Sequence, residues 1–180
     1  MKKTAGFLKF CCTFAMVFLV FGIVILALTG GFLIAVGSLS ELAGKAGKAI
    51  TIDAGTLTPA ELDALKPVVL IALCFALVSV VLALIGTINT RKALKECQKE
   101  TPFSDISVNS LLTSARMEII AGVIGIIGGF VVSFMASKLT VNGSPIGSSM
   151  STINLSFVFY AVMKYLLYHI AEYGRKLERR

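Results

Sequence analysis

The chain has 180 residues, 56% of them hydrophobic and only 15% charged, with a mean hydropathy of +0.88. A water-soluble domain of this size carries far more charged surface, so a soluble fold is excluded. The formal net charge of +7 would suit a nucleic-acid binder, but the basic residues are dispersed along the chain between apolar blocks, so no nucleic-acid partner is expected.

A hydrocarbon core of about 30 Å needs about 20 mostly apolar helical residues to span it, and four blocks meet that requirement. The first runs from Phe10 to Val36. Lys2 and Lys3 ahead of it imitate a secretory signal, but the apolar stretch is too long and lacks a clear small-residue cleavage site. It reads as a retained signal-anchor helix. Lys9 and Phe10 before Cys11 also argue against a lipoprotein signal. Residues 37–58 form a first outer loop, in which AITID alternates like a short strand.

Thr58, Pro59 and Glu61 have the spacing of an N-cap, a first-turn proline and a capping-box carboxylate. They predict a second helix over 59–89, with an amphipathic lead through Leu65, lipid from about Pro67, and a kink there because proline has no N–H. The helix is expected to run on as TRKALKECQKE into a cytoplasmic elbow at 90–116. Pro102 stops it, Ser104 caps the next element, and Ile106, Val108, Leu111 and Leu112 supply an apolar side. Phe103 is expected against the inner end of the bundle or in the headgroup layer. The third span covers 117–137. A second outer loop at 138–152 carries the turn pair Asn142-Gly143, and a small β-structure joining the two outer loops is one arrangement open to it. The fourth span covers 153–173 and leads into a basic tail at 174–180.

Helix is the only economical choice for these blocks, because lipid cannot satisfy open backbone groups and none alternates as a barrel strand does. The basic residues sort by side. Lys2, Lys3, Lys9, Arg91, Lys92, Lys95, Lys99, Arg116, Arg175, Lys176, Arg179 and Arg180 flank the blocks on one side; Lys45, Lys48, Lys66 and Lys138 on the other. Twelve against four predicts both termini in the cytoplasm, with attraction to anionic lipid headgroups as a consequence. The cysteines at 11, 12, 74 and 97 fall in no outer loop, so a disulfide-stapled cell-surface protein is not expected. A bacterial or archaeal plasma membrane fits better.

Three features could carry function. In the third span Ala121, Gly125 and Gly129 recur at spacing four, with Gly122 and Gly128 alongside. Such small residues permit close helix approach, either inside the bundle or against a partner. In the fourth span Lys164 is a charge well inside apolar sequence, where ionisable residues are costly. Tyr160, Tyr168 and Glu172 share its spacing of four, and Glu118 at the inner start of the third span is a candidate partner. This set is either a polar pathway or a lysine whose ammonium reaches the inner headgroups. His169, the sole histidine, has no companion ligands or nucleophile, and reads as an interfacial hydrogen-bonding residue. No phosphate loop, nucleophile elbow or metal spacing is present, so no catalytic residue, metal or cofactor is expected.

At the elbow Pro102, Phe103, Ser104, Val108 and Leu111, and near the C-terminus Gly174 and Leu177, give the chain a pattern that resembles an uncharacterised family of small bacterial four-helix integral membrane proteins. In that family a Pro-Phe-Ser/Thr elbow joins the second and third helices. Glu100 stands where the family commonly has glycine, and Ser107 where it has asparagine. The resemblance implies a regulatory or accessory role, since members are often encoded beside small helix-turn-helix regulators.

The expectation is an all-α, four-transmembrane-helix bundle with both termini inside and an amphipathic inner elbow. The leading functional reading is an accessory protein acting through a membrane-protein partner or a homo-oligomer. A small transporter or channel built around Lys164 is the alternative, and a membrane-embedded enzyme ranks last.

Overall fold

The computed structural model describes residues 2–40, 58–99, 101–141, 144–145 and 156–178. Among them are four long helices: α1 (Lys2–Ala35), α2 (Pro59–Gln98), α3 (Asp105–Ala136) and α4 (Ser156–Glu178). One antiparallel pair, β1 (Thr140–Val141) with β2 (Ser144–Pro145), lies between α3 and α4. Val141 faces Ser144 in register, as a two-residue connection requires. The Asn142-Gly143 turn and the AITID strand fall outside the described residues.

Helices α1, α2 and α3 contain stretches long and apolar enough to cross a membrane. None of the most apolar stretch of α1 is buried, and large residues such as Phe10, Phe14, Phe18, Phe21 and Phe32 project outward. The buried apolar residues are mostly small: Ala5, Ala93, Ala115, Ala161 and Ala171, with Leu33, Val68 and Val108. Small side chains inside and large ones outside is the pattern of helices that pack closely in a solvent of lipid.

Local chemistry explains the helix ends. At the start of α2, the Thr58 N–H and hydroxyl both donate to Glu61 Oε2 at 2.8 Å, and Glu61 N–H returns to Thr58 Oγ1 at 3.4 Å. This is the capping box expected from the sequence. Pro67 sits inside the continuous 40-residue α2. At the far end, Thr101 N–H donates to the Glu96 carbonyl at 3.1 Å and closes the last turn, and Pro102 cannot extend the helix. Ser104 then caps α3, its Oγ accepting from Ser107 N–H at 3.2 Å.

Two boundaries differ from expectation. Helix α1 begins at Lys2 rather than near Phe10, because nothing between the two positions breaks a helix. Helix α4 continues to Glu178, so the described part of the basic tail is helical, with Arg175 and Lys176 in the last turn where cations favour the helix dipole.

The contacts divide into two compact units, one of Met1–Ile23, Val78–Ile124 and Asn154–Arg180, the other of Val24–Leu77 and Gly125–Ile153. In the second unit, Lys66 Nζ donates to the carbonyls of Val36 (2.6 Å) and Gly37 (3.1 Å), completing the C-terminus of α1 with a cation. Nearby, Ser40 binds the Asp63 carboxylate through both its N–H (3.1 Å) and its Oγ (2.9 Å). Phe75 of α2 packs on Gly128 of α3, where an added Cβ would lie 2.7 Å from the ring.

In the first unit α3 packs antiparallel to α2 on one side and to α4 on another. Gly86 of α2 meets Ser114 of α3, whose Oγ donates to the Gly86 carbonyl at 2.9 Å. The Thr90 hydroxyl lies 2.7 Å from Ser114 Oγ and reaches the same carbonyl at 3.0 Å. The buried side of α3 is therefore Ser107, Val108, Ser110, Ser114 and Ala115. Leu111 and Leu112 are half-buried, but Ile106 is 59% exposed. Positions 106 and 108 lie about 200° apart around a helix, so Ile106 cannot share the face of Val108.

Candidate functional site

Four contacts define the seam between α3 and α4 in the first unit. Phe157 lies over Gly122, and a Cβ there would overlap the ring. Lys164 Nζ donates to Glu118 Oε2 at 2.5 Å. Arg175 Nη1 donates to Asp105 Oδ1 at 2.8 Å. Phe103, in the turn before α3, covers Gly174, where a Cβ would fall 2.5 Å from the ring. Phe103 is thus tucked against α4, and the Phe103 and Gly174 of the sequence pattern occupy one contact.

Lys164 turns toward α3 and finds the carboxylate named from sequence. The two side chains are 23% and 26% exposed, so the pair is a neutralised contact at the edge of the seam rather than a lone charge in hydrocarbon. The side of α4 that meets α3 reads Phe157, Ala161, Lys164, Tyr168, Ala171 and Arg175, at alternating spacings of four and three. Tyr160 does not belong to it: the residue is exposed, because a strict spacing of four drifts about 40° per step around the helix.

Glu172 stands apart from the Lys164–Glu118 pair. Its carboxylate is held by Lys176 at 3.2 Å, with Arg175 at 4.0 Å and His169 Nδ1 at 3.9 Å, and Tyr168 is its hydrogen-bonding neighbour. Tyr165, Tyr168 and His169 form a ring cluster with centroids 5.1 to 5.7 Å apart. The expected polar face of α4 is therefore two separate clusters, one joining helices and one within α4. Among the described residues no three His, Cys, Asp or Glu side chains converge as a metal site would need, and the four cysteines are free thiols.

The glycines of α3 fall into two classes. Gly122 and Gly128 are filled by Phe157 and Phe75, whereas a Cβ at Gly125 or Gly129 would meet nothing within 4 Å among the described residues. The Ala121 carbonyl accepts from Ser79 Oγ at 3.4 Å, so Ala121 borders α2. The open part of the small-residue row is Gly125 and Gly129.

Sequence reasoning misses the serine face of α3. Ser107, Ser110 and Ser114 escape it because hydroxyls on an elbow helix suggest a wet surface. Their spacing of three and four is the available signal, since small residues at that spacing allow two backbones to approach. Ser107 Oγ is buried without a hydrogen-bond partner among the described residues.

No family model matches this chain, and neither curated proteins nor solved structures match it.

Proposed function

We propose that this chain is a multi-pass plasma-membrane protein with four transmembrane helices and both termini in the cytoplasm, acting as an accessory or regulatory protein. It works by helix association with a membrane-protein partner or with a second copy of itself. The observation that carries this reading is the division of the α3 glycines: two are filled by aromatic rings, while Gly125 and Gly129 present open backbone. An open glycine pair on an apolar helix allows another helix to approach closely.

The topology rests on charge. Twelve basic residues flank the spans on one side and four on the other, and Lys66 of the minority is committed to capping α1. Basic residues near both ends of the sequence favour an even number of crossings, with α4 as the fourth. The resemblance of the elbow to small bacterial four-helix membrane proteins accords with an accessory role. The transporter alternative is weakened by the Lys164–Glu118 contact, which occupies the one ammonium that a polar pathway would use.

The test is cysteine cross-linking in native membranes, in a background where the four natural cysteines are replaced by alanine. Gly125→Cys or Gly129→Cys should join α3 to a second copy or to a distinct protein identifiable by mass spectrometry. Gly125→Leu should abolish co-purification of that species. Absence of any cross-link at both positions, with only monomer recovered in mild detergent, defeats the proposal.

A further inference from the structure

Along the first-unit part of α2 the outward residues are Val78, Val81, Ile85, Ile88, Lys92 and Lys95, all exposed, followed by Lys99. Their spacings alternate three and four, so they form one continuous row on one side of the helix. The row is wholly apolar up to Ile88 and wholly basic from Lys92. On α3, antiparallel to it, exposed Arg116 gives way to exposed Ile119 and Ile120. The Gly86–Ser114 contact puts Arg116 near the level of Ile85 and Gly86, about 10 Å on the apolar side of Lys92, so Arg116 stands apart from the two lysines.

A row facing lipid that changes from hydrocarbon to cation at one level marks the edge of the hydrocarbon core. At 1.5 Å per residue, Lys92 lies about 6 Å beyond Ile88 and Lys95 about 10 Å. The headgroup layer on each side is about 5–7 Å deep, and a lysine stem can reach back toward it. Lys99 lies about 16 Å beyond Ile88, past that layer, and it is the member of the row with a protein partner, Glu96 Oε1 at 2.8 Å. Lys92, Lys95 and Arg116 form no salt bridge among the described residues. Among the described residues Lys92, at headgroup depth, and Lys95, within one lysine stem of it, are without an ion pair, whereas Lys99 beyond them has one.

We infer that Lys92 and Lys95 form a seat for the phosphate of an anionic phospholipid whose acyl chains lie along Val78, Val81, Ile85 and Ile88. The seat selects headgroup charge, and the apolar part of the same row supplies a bed for the chains. It is independent of whether α3 binds a partner.

The experiment titrates the full chain, purified in mild detergent, with dioleoyl-phosphatidylglycerol and separately with dioleoyl-phosphatidylcholine, following bound lipid by native mass spectrometry. The wild type should bind phosphatidylglycerol more tightly. Lys92→Gln/Lys95→Gln should weaken its first association about 25-fold, taking about fivefold per lysine near a charged surface, and should leave phosphatidylcholine unchanged. Lys92→Arg/Lys95→Arg should restore binding. Equal affinity of the wild type for the two lipids overturns the inference, as does full phosphatidylglycerol affinity in the glutamine variant. So does a row whose loss releases only an acidic protein partner and no lipid.

Discussion

Breaking the Lys164–Glu118 contact tests whether it joins α3 to α4 or serves a pathway. Removing one member of a fully buried pair costs about 3–5 kcal/mol, because the remaining charge stays uncompensated. Here the side chains are 23% and 26% exposed, and lysine can extend toward the headgroups, so each single variant should lose less. Glu118→Gln and Lys164→Met should each destabilise by about 1–3 kcal/mol. The double variant should recover much of the loss, since it buries no unpaired charge and methionine follows the path of the lysine stem. The coupling energy from the cycle should be about 1–2 kcal/mol. Denaturation by dodecyl sulfate in mixed micelles, followed by far-ultraviolet circular dichroism, measures all four proteins. Simple additivity, with no coupling beyond about 0.3 kcal/mol, would refute the reasoning. A Lys164→Met protein as stable as the wild type but unable to support ion or solute flux in vesicles would revive the transporter reading.

The glycine classes of α3 give a paired prediction. Gly122→Ala should destabilise by about 1–3 kcal/mol, because Phe157 occupies the space, and Phe157→Ala should relieve the clash. Gly125→Ala should be neutral or gain up to about 1 kcal/mol of helix propensity, read in the same micelle assay. At the start of α2, Thr58→Ala removes the threonine hydroxyl from the capping box. Hydrogen exchange of residues 60–63 should accelerate, consistent with a cap worth about 1 kcal/mol, while exchange near Gly86 should stay unchanged. Equal acceleration at both places would mean that the cap acts on the whole fold.

Features set by chain chemistry within a few residues are legible in the sequence itself. Length and hydropathy alone mark the three membrane-crossing stretches. Thr58 and Glu61 mark the start of α2 because a side chain three residues away can satisfy a helix-end N–H. Pro102 and Ser104 mark the elbow for equally local reasons. The partner of Lys164 follows from charge and depth, two quantities a sequence carries.

Which way each helix faces is not legible there. In water the core side of a helix is apolar and the other side polar, so periodicity reveals the rotation. In α1, α2 and α3 both sides are apolar, because lipid and neighbouring helices make nearly the same demand. Five small residues in α3 therefore look equivalent in sequence, and only packing against Phe157 and Phe75 separates Gly122 and Gly128 from Gly125 and Gly129. The same ambiguity hides the approach of Ser114 to Gly86 and puts Ile106 on the wrong side. Sequence alone determined which three stretches are long and apolar enough to cross lipid and where α2 begins and breaks at the elbow, since backbone hydrogen bonding and hydrocarbon thickness act locally. Tertiary structure decided which residues meet, because in a solvent as apolar as the side chains only shape and the few polar groups choose the faces.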